Sequence, residues 1–415
     1  MNALIVRGGN RLEGDAEAGA AKNAVLPIMA AAILAKGQVR LRKIPGLTDV
    51  ESMMRILKTL GLEARWEGVD VVIDGSGASG YRMPEGLSKE IRSSIFMLGP
   101  ILARRGQATF TYPGGCEIGL RPIDLHLSGL RALGAVIREE GGLIHCSGVL
   151  RGADIHLDYP SVGATENIMM AAATAKGETV VSNAAREPEV EDLAAFINAM
   201  GGKVSGAGGG TIVIEGVRGL HGVEYAPMTD RIVAGTLLCA AAVTRGDVLV
   251  RDGRARDMEG TLSKLREMGC GVEVSRDGVR LRCATRPFAV RSLETQPYPG
   301  FPTDMQAQMV ATLATCGGIA AVTENVFENR FGYVGGLRRM GADIAVHGRL
   351  ALVRGVSRLS GAQVVSRDLR GGAALVLAGL GASGETVVGN AQFVDRGYAG
   401  LEVTLRSLGA DIERK

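Results

Sequence analysis

The 415-residue chain is poor in aromatic side chains, which make up 4% of it and include a single tryptophan. Its core must therefore be assembled from Ala, Val, Leu, Ile and Met. It also lacks a charge imbalance: 47 Lys and Arg stand against 44 Asp and Glu, with the two signs interspersed. That balance argues against a nucleic-acid partner or a membrane surface, both of which select a basic face. The six cysteines (Cys116, Cys146, Cys239, Cys270, Cys283, Cys316) show no CxxC spacing. Neither a disulfide framework nor a zinc site is expected from them, and a reducing compartment is. The apolar stretch at 29–34 is bracketed by Lys22 and Lys36, too short a run to span a bilayer. Residues 1–20 lack the basic-then-apolar pattern of a secretory leader, so the expected location is the cytoplasm.

What is plentiful is glycine, with 60 residues, and much of it marks a repeat. The phrase Leu130-Arg131-Ala132-Leu133-Gly134 recurs as Leu265-Arg266-Glu267-Met268-Gly269 and Leu337-Arg338-Arg339-Met340-Gly341, and again at 56–61, 196–201 and 405–409. Apolar residues three or four apart, closed by glycine, describe an amphipathic helix with a C-terminal glycine cap. A second phrase is an Ala/Leu/Met-rich helix, a glycine and a β-branched strand, as in 168–181 and 235–250. That helix is apolar nearly all round and should be buried. A similar helix is expected over 92–105. Each unit spans about 70 residues, beyond a solenoid repeat. Six units suggest two domains of three, 21–229 and 230–415, with residues 1–20 joining the second.

The buried helices begin with polar residues: Lys22-Asn23, Arg92-Ser93-Ser94, Ser161, Asp230-Arg231, Thr303-Asp304 and Asp368-Leu369-Arg370. A helix start carries unpaired N–H groups and a positive dipole end, a natural anion site. Capping would explain Ser161, Thr303, Asp230 and Asp368, and for Asp230 and Asp368 the two roles are equally open. It does not explain Lys22, Arg92, Arg231 or Arg370, because cations oppose the dipole. Four such cations point to a ligand carrying several negative charges.

A cysteine stands in the loop Tyr112-Pro113-Gly114-Gly115-Cys116-Glu117-Ile118-Gly119, ahead of Leu120-Arg121. Glycine and proline exclude a stable helix there and leave the thiol on a flexible arm near fixed positive charge. Such a thiol ionises readily and can donate a proton or attack; the alternative is a small hydrophobe in a turn.

Taken with Ala21-Lys22-Asn23-Ala24, Arg121-Pro122-Ile123-Asp124-Leu125-His126, Ser161-Val162-Gly163-Ala164-Thr165 and Arg186-Glu187-Pro188-Glu189, this loop resembles that of the UDP-N-acetylglucosamine 1-carboxyvinyltransferases, an enolpyruvyl transferase family. Phe301-Pro302-Thr303-Asp304-Met305-Gln306-Ala307-Gln308, Val326-Phe327-Glu328-Asn329-Arg330-Phe331, Asp368-Leu369-Arg370 and Asp395-Arg396-Gly397-Tyr398 extend the resemblance over essentially the whole chain. It implies an α/β fold of two inside-out α/β barrel domains, each of three βαβαββ-like units, with the active site in the interdomain cleft. It also implies transfer of the enolpyruvyl group of phosphoenolpyruvate to the 3-hydroxyl of UDP-N-acetylglucosamine with release of phosphate, the first committed step of peptidoglycan synthesis. No metal or organic cofactor is implied, and the oligomeric state stays open.

By that resemblance Cys116 delivers the proton to the methylene carbon and can form an adduct with phosphoenolpyruvate. Asp304 accepts the proton of the sugar hydroxyl. Lys22, Arg121, Arg330, Arg370 and Arg396 suit the phosphate and carboxylate of phosphoenolpyruvate. The nucleotide sugar falls to Arg92, Arg121, Pro122, Ile123, Asp124, Leu125, Tyr159, Pro160, Ser161, Val162, Asp304 and Val326. Asn23 and Thr303 hydrogen-bond the sugar, Asp368 completes the set, and Pro122, Leu125, Pro160 and Val162 wall the uracil. Core packing is the competing reading for Val326 and Leu369. His126 is expected to hydrogen-bond rather than catalyse. Gly19-Ala20-Ala21, Phe96, Tyr159 and Val233 depart from the family pattern and bear on affinity. The rival readings are a 5-enolpyruvylshikimate-3-phosphate synthase and a non-catalytic sugar-nucleotide-binding paralogue.

Overall fold

One plan is built six times: a lead strand, a buried helix, a strand, an outer helix and a hairpin. The computed structural model describes residues 2–112, 119 and 122–415. The plan is easiest to follow in the copy Asp154–His156, Val162–Ala172, Glu178–Ser182, Pro188–Ala199, Lys203–Ser205 and Thr211–Glu215. The lead strand pairs parallel with the strand after the buried helix, Asp154 opposite Val180. The hairpin returns antiparallel, with Val181 opposite Ile212. The buried helices are α1 (Lys22–Ala31), α2 (Leu98–Arg105), α3 (Val162–Ala172), α4 (Arg231–Thr244), α5 (Gln306–Leu313) and α6 (Leu369–Leu380). The glycines closing the outer helices (Gly61, Gly134, Gly201, Gly269, Gly341, Gly409) take φ from 86° to 101°, where a side chain would be strained.

The chain divides into two units. Of the described residues, the Lys22 unit comprises 20–112 and 122–228, and the Asp304 unit comprises 2–19, 119 and 229–415. In the Asp304 unit the last copy ends at Asp411–Arg414, one strand short. Ala3–Arg7 fills that place, antiparallel to both neighbours, with Ile5 opposite Val387 and Glu413. Glu13–Glu17 leads the copy containing α4 by pairing with Asp247–Arg251. In the Lys22 unit Glu224–Tyr225 leads the α1 copy, and the lead of the α2 copy shrinks to an Arg82–Thr109 bridge. Among the described residues the sheets of each unit remain separate and do not close into one hydrogen-bonded barrel.

Helices α4, α5 and α6 pack on one another in the core of the Asp304 unit, and their apolar residues are almost wholly buried. Small residues permit the close approaches. At Gly99 a Cβ would lie 2.4 Å from the Asn167 carbonyl oxygen, so α2 can seat against α3 only with glycine there.

The expected helix over 92–105 is two pieces, a 3₁₀ turn at Arg92–Met97 and then α2. Pro100 lacks the N–H that would continue α bonding backwards, so the preceding turn tightens. Among the described residues no helix is long and apolar enough to cross a membrane.

Candidate active site

In the Lys22 unit, Lys22 opens α1 and its Nζ lies 2.6 Å from Asp49 Oδ2, with side chains 9% and 3% exposed. Asp49 stands in the first turn of the outer helix Thr48–Thr59. A buried ammonium at a helix N-terminus is doubly unfavourable, and the carboxylate offsets both costs. Asn23 follows it on α1, and Arg92 opens the 3₁₀ turn; both are half-buried. Ser161 caps α3 by accepting the Ala164 N–H at 3.3 Å.

His126 sits beneath that helix start, where a Cβ on Gly163 would come 3.0 Å from the ring. Asn167 reaches three ways from α3, with Nδ2 to Ile95 O at 2.7 Å and to His126 Nδ1 at 3.0 Å, and Oδ1 to the Gly99 N–H at 2.6 Å. Burial, reinforced by the Arg92 charge, pushes the imidazole down to about 4. It stays neutral at physiological pH and acts as a buried hydrogen-bonding group. Outside it, Tyr112, Pro122, Ile123, Asp124, Leu125 and Asp158 line part of a hollow of about 500 Å³. Two of the four residues expected to wall a base are there. Val162 instead packs against the core, while Pro160 is half-buried and Tyr159 exposed. Cys116 and Arg121 lie outside the described residues.

The Asp304 unit holds a tighter cluster. Asp304 belongs to the 3₁₀ turn Thr303–Met305 leading into α5. Its Oδ1 accepts from Arg330 Nη2 at 2.8 Å and its Oδ2 from Arg370 Nη2 at 3.0 Å. Both arginine side chains are buried, at 3% and 2% exposed. Arg370 lies 5.3 Å over the Tyr398 ring, and Arg330 lies 5.4 Å over Phe327. Burial works against the charge on Arg370, yet Tyr398, Asp304 and Asp230 outweigh it and raise its pKa above the ordinary value. Its Nε and Nη1 are buried without a hydrogen-bond partner among the described residues. Arg396, in the 3₁₀ turn Ala391–Arg396, is half-buried.

The polar helix starts divide. Asp230 caps α4 through the Ile232 and Val233 N–H groups at 2.8 and 2.9 Å. Asp368 caps α6 through those of Arg370 and Gly371, both at 2.9 Å. Thr303 does not cap. Its 3₁₀ turn carries it past the cap position, and its hydroxyl donates to Glu324 Oε2 at 2.9 Å. Nor do the cations stand alone: Lys22 has Asp49, Arg370 has Asp304, and Arg231 lies 5.7 Å over the Tyr298 ring. Cations at helix starts therefore do not by themselves require an anionic ligand. Among the described residues, however, Arg370 Nε and Nη1 have no hydrogen-bond partner and stay open to one.

Two residues around the site escaped the sequence reading. Asp49 looks like an ordinary first-turn acid. Glu324 is wholly buried and accepts from Thr295, Thr303 and the N–H groups of Val326 and Phe327. It shapes the turn carrying Val326, whose side chain is half-buried, and nothing local in the sequence announces it.

A family model described as EPSP synthase (3-phosphoshikimate 1-carboxyvinyltransferase) matches residues 6–405. The chain is 52% identical to UDP-N-acetylglucosamine 1-carboxyvinyltransferase 2 of Caldanaerobacter subterraneus subsp. tengcongensis, over 100% of both chains. It is 49% identical to UDP-N-acetylglucosamine 1-carboxyvinyltransferase 1 of Staphylococcus aureus strain MRSA252, over 100% of this chain and 99% of that one. Among solved structures, the enolpyruvyl transferase NikO from Streptomyces tendae superposes with a TM-score of 0.89 at 25% identity, covering 100% and 99% of the two chains. The EPSP synthase of Acinetobacter baumannii shares the fold, with a TM-score of 0.74 at 18% identity and full coverage of both chains.

Proposed function

This chain belongs to the EPSP synthase family of carboxyvinyltransferases, and from that premise we propose that it transfers the enolpyruvyl group of phosphoenolpyruvate to the 3-hydroxyl of UDP-N-acetylglucosamine. Full-length identity of about half to relatives bearing that name supports the acceptor. The reaction belongs to peptidoglycan synthesis and, through the cell wall, to growth and division. A cytoplasmic location is part of the proposal.

The observation that carries the reading is Asp304 held between two buried arginines, one of which, Arg370, keeps Nε and Nη1 without a hydrogen-bond partner among the described residues. Phosphoenolpyruvate brings a phosphate and a carboxylate. Arg370 and Arg330 can turn their forks towards those anions, with Arg396, Lys22 and Arg121 adding charge-assisted bonds. As the guanidinium groups engage the ligand, the Asp304 lone pairs become available to the sugar hydroxyl. The hydroxyl oxygen then bonds to C2 of phosphoenolpyruvate while its proton passes to Asp304 and C3 gains a proton, which Cys116 supplies. In the elimination the tetrahedral product returns a C3 proton to the Cys116 thiolate while Asp304 gives its proton to the departing phosphate, restoring the double bond in the enolpyruvyl ether. Pro122, Ile123, Asp124 and Leu125 supply part of a hollow suited to the nucleotide end, with Asp158 on its wall; Tyr159, Pro160 and Ser161 follow Asp158 in sequence and are proposed to complete it.

A phosphate-release assay with phosphoenolpyruvate decides the acceptor. Release is expected with UDP-N-acetylglucosamine and not with shikimate 3-phosphate. Release only with shikimate 3-phosphate would reverse the assignment, and release with neither would favour a non-catalytic binding protein.

A further inference from the structure

Gln308 lies wholly buried on α5. Its Nε2 stands 2.9 Å from the Asp304 carbonyl oxygen, 3.0 Å from the Tyr398 hydroxyl and 3.1 Å from Thr236 Oγ1. The Asp304 carbonyl can only accept, which fixes the orientation of the amide. Thr236 donates its own proton to the Ile232 carbonyl at 2.7 Å and bridges to Tyr398 at 3.0 Å. One amide nitrogen thus joins α4, α5 and the segment beneath α6. The opposite end of the same amide fares badly: Gln308 Oε1 is buried with no hydrogen-bond partner among the described residues. Leaving an acceptor unmatched in the core lowers stability, and an apolar side chain of similar length would avoid that loss. The nitrogen's contacts give the fold a use for glutamine, but one that strands Oε1 among the described residues.

We infer that Gln308 is a positioning residue for Asp304, tying the backbone of the acid to the Tyr398 hydroxyl so that the carboxylate and Arg370 hold one mutual geometry. The ring of Tyr398 lies under Arg370, and Arg370 grips the Asp304 carboxylate, so the loop of contacts closes on itself. The inference deepens the proposed function and rests on it for the role of Asp304. Gln308 touches no reacting atom in this scheme. Its contribution is to keep the acid from swinging away as the arginines turn to an incoming anion.

The deciding variant is Gln308→Met, which keeps length and removes both the bridge and the orphan oxygen. A merely structural glutamine would make stability and turnover fall together. A positioning glutamine predicts an unfolding midpoint that holds or rises while kcat falls on the order of tenfold, with KM for UDP-N-acetylglucosamine little changed. Tyr398→Phe, which keeps the ring under Arg370 and loses the hydroxyl, should give a smaller drop in kcat. A Gln308→Met enzyme with kcat within about twofold of the parent overturns the inference. If kcat and midpoint both fall, a crystal structure of the variant decides. Asp304 displaced from Arg330 and Arg370 on an intact α5 upholds it, and Asp304 unmoved sinks it. A parent chain inactive with UDP-N-acetylglucosamine would remove the activity reading instead, and the same crystal structure would still judge whether Gln308 holds Asp304 in place.

Discussion

At the scale of single residues, function here depends on charges buried beside their opposites. Removing one partner of such a pair leaves the other stranded, at a cost of about 3–5 kcal/mol, whereas replacing both with apolar groups is often neutral. Asp49→Ala should therefore lower stability by roughly 3 kcal/mol in chemical denaturation and also weaken phosphoenolpyruvate use. Lys22→Met with Asp49→Leu should regain most of the stability and none of the activity. A double variant no more stable than Asp49→Ala would show that the pair owes its worth to something other than mutual compensation. His126 is a second case, with a sign that can be worked out. Its folded pKa of about 4 lies below the ordinary 6.5, so the unfolded chain takes up the proton first. Stability is then fully present above pH 6.5 and falls as pH drops towards 4, by about 3 kcal/mol from this group. His126→Gln should flatten that part of the profile, as followed by urea midpoints across the same range.

At the scale of elements, α3 shows how a buried helix carries polar groups to a site. Thr165, Glu166 and Asn167 follow one another on it, each wholly buried. Thr165 accepts the Ala185 N–H at 3.1 Å and Asn167 joins α2 to His126, but both Glu166 oxygens lack hydrogen bonds among the described residues. Burial, followed by the charges of Glu189 and Glu187, raises the Glu166 pKa well above the usual carboxylate range. The unfolded chain gives up this proton first, so stability falls as pH climbs past the ordinary value of 4.5. Glu166→Gln copies the shape of the protonated acid and cannot ionise. It should raise the unfolding midpoint at neutral pH by about 2–4 °C, the equivalent of roughly 1 kcal/mol in a domain of this size. A lower midpoint at neutral pH would show that the acid is ionised and held by partners. Glu166 stands between the polar Thr165 and Asn167 on this helix, and periodicity alone gives no reason to single it out.

At the scale of the whole molecule, the legible features were those set by short-range patterning. The six glycine-closed helices follow from apolar spacing and from caps that favour glycine, whereas the full βαβαββ order was implied by the family resemblance. The helix starts carrying Lys22, Ser161, Asp230, Asp304 and Asp368 were equally local. Asp49, Glu324 and Gln308 were not, because their partners lie far away in sequence or on other elements. Apolar spacing predicts a helix over 92–105, but Pro100 removes the N–H that would continue it backwards and leaves the 3₁₀ turn at Arg92–Met97. Ala3–Arg7 shows the long-range principle most plainly. It is an interior strand between Glu385–Gly389 and Asp411–Arg414, and the Ala3 N–H meets the Lys415 carbonyl at 2.8 Å. Deleting it would expose two strand edges at once, inviting aggregation. If the strand matters only for the place it fills, its covalent attachment to Gly8 is dispensable. A permuted chain joining Lys415 to Met1 by a linker of about six residues, ample for so small a gap, should then fold. Opened between Arg7 and Gly8, so that the strand becomes the new C-terminus, it should match the parent in its unfolding midpoint and in phosphate release. Failure of that chain to fold, beside a permutant opened at 206–210 that keeps the Gly8 connection and does fold, would mean that this connection, and not the strand register, directs the Asp304 unit.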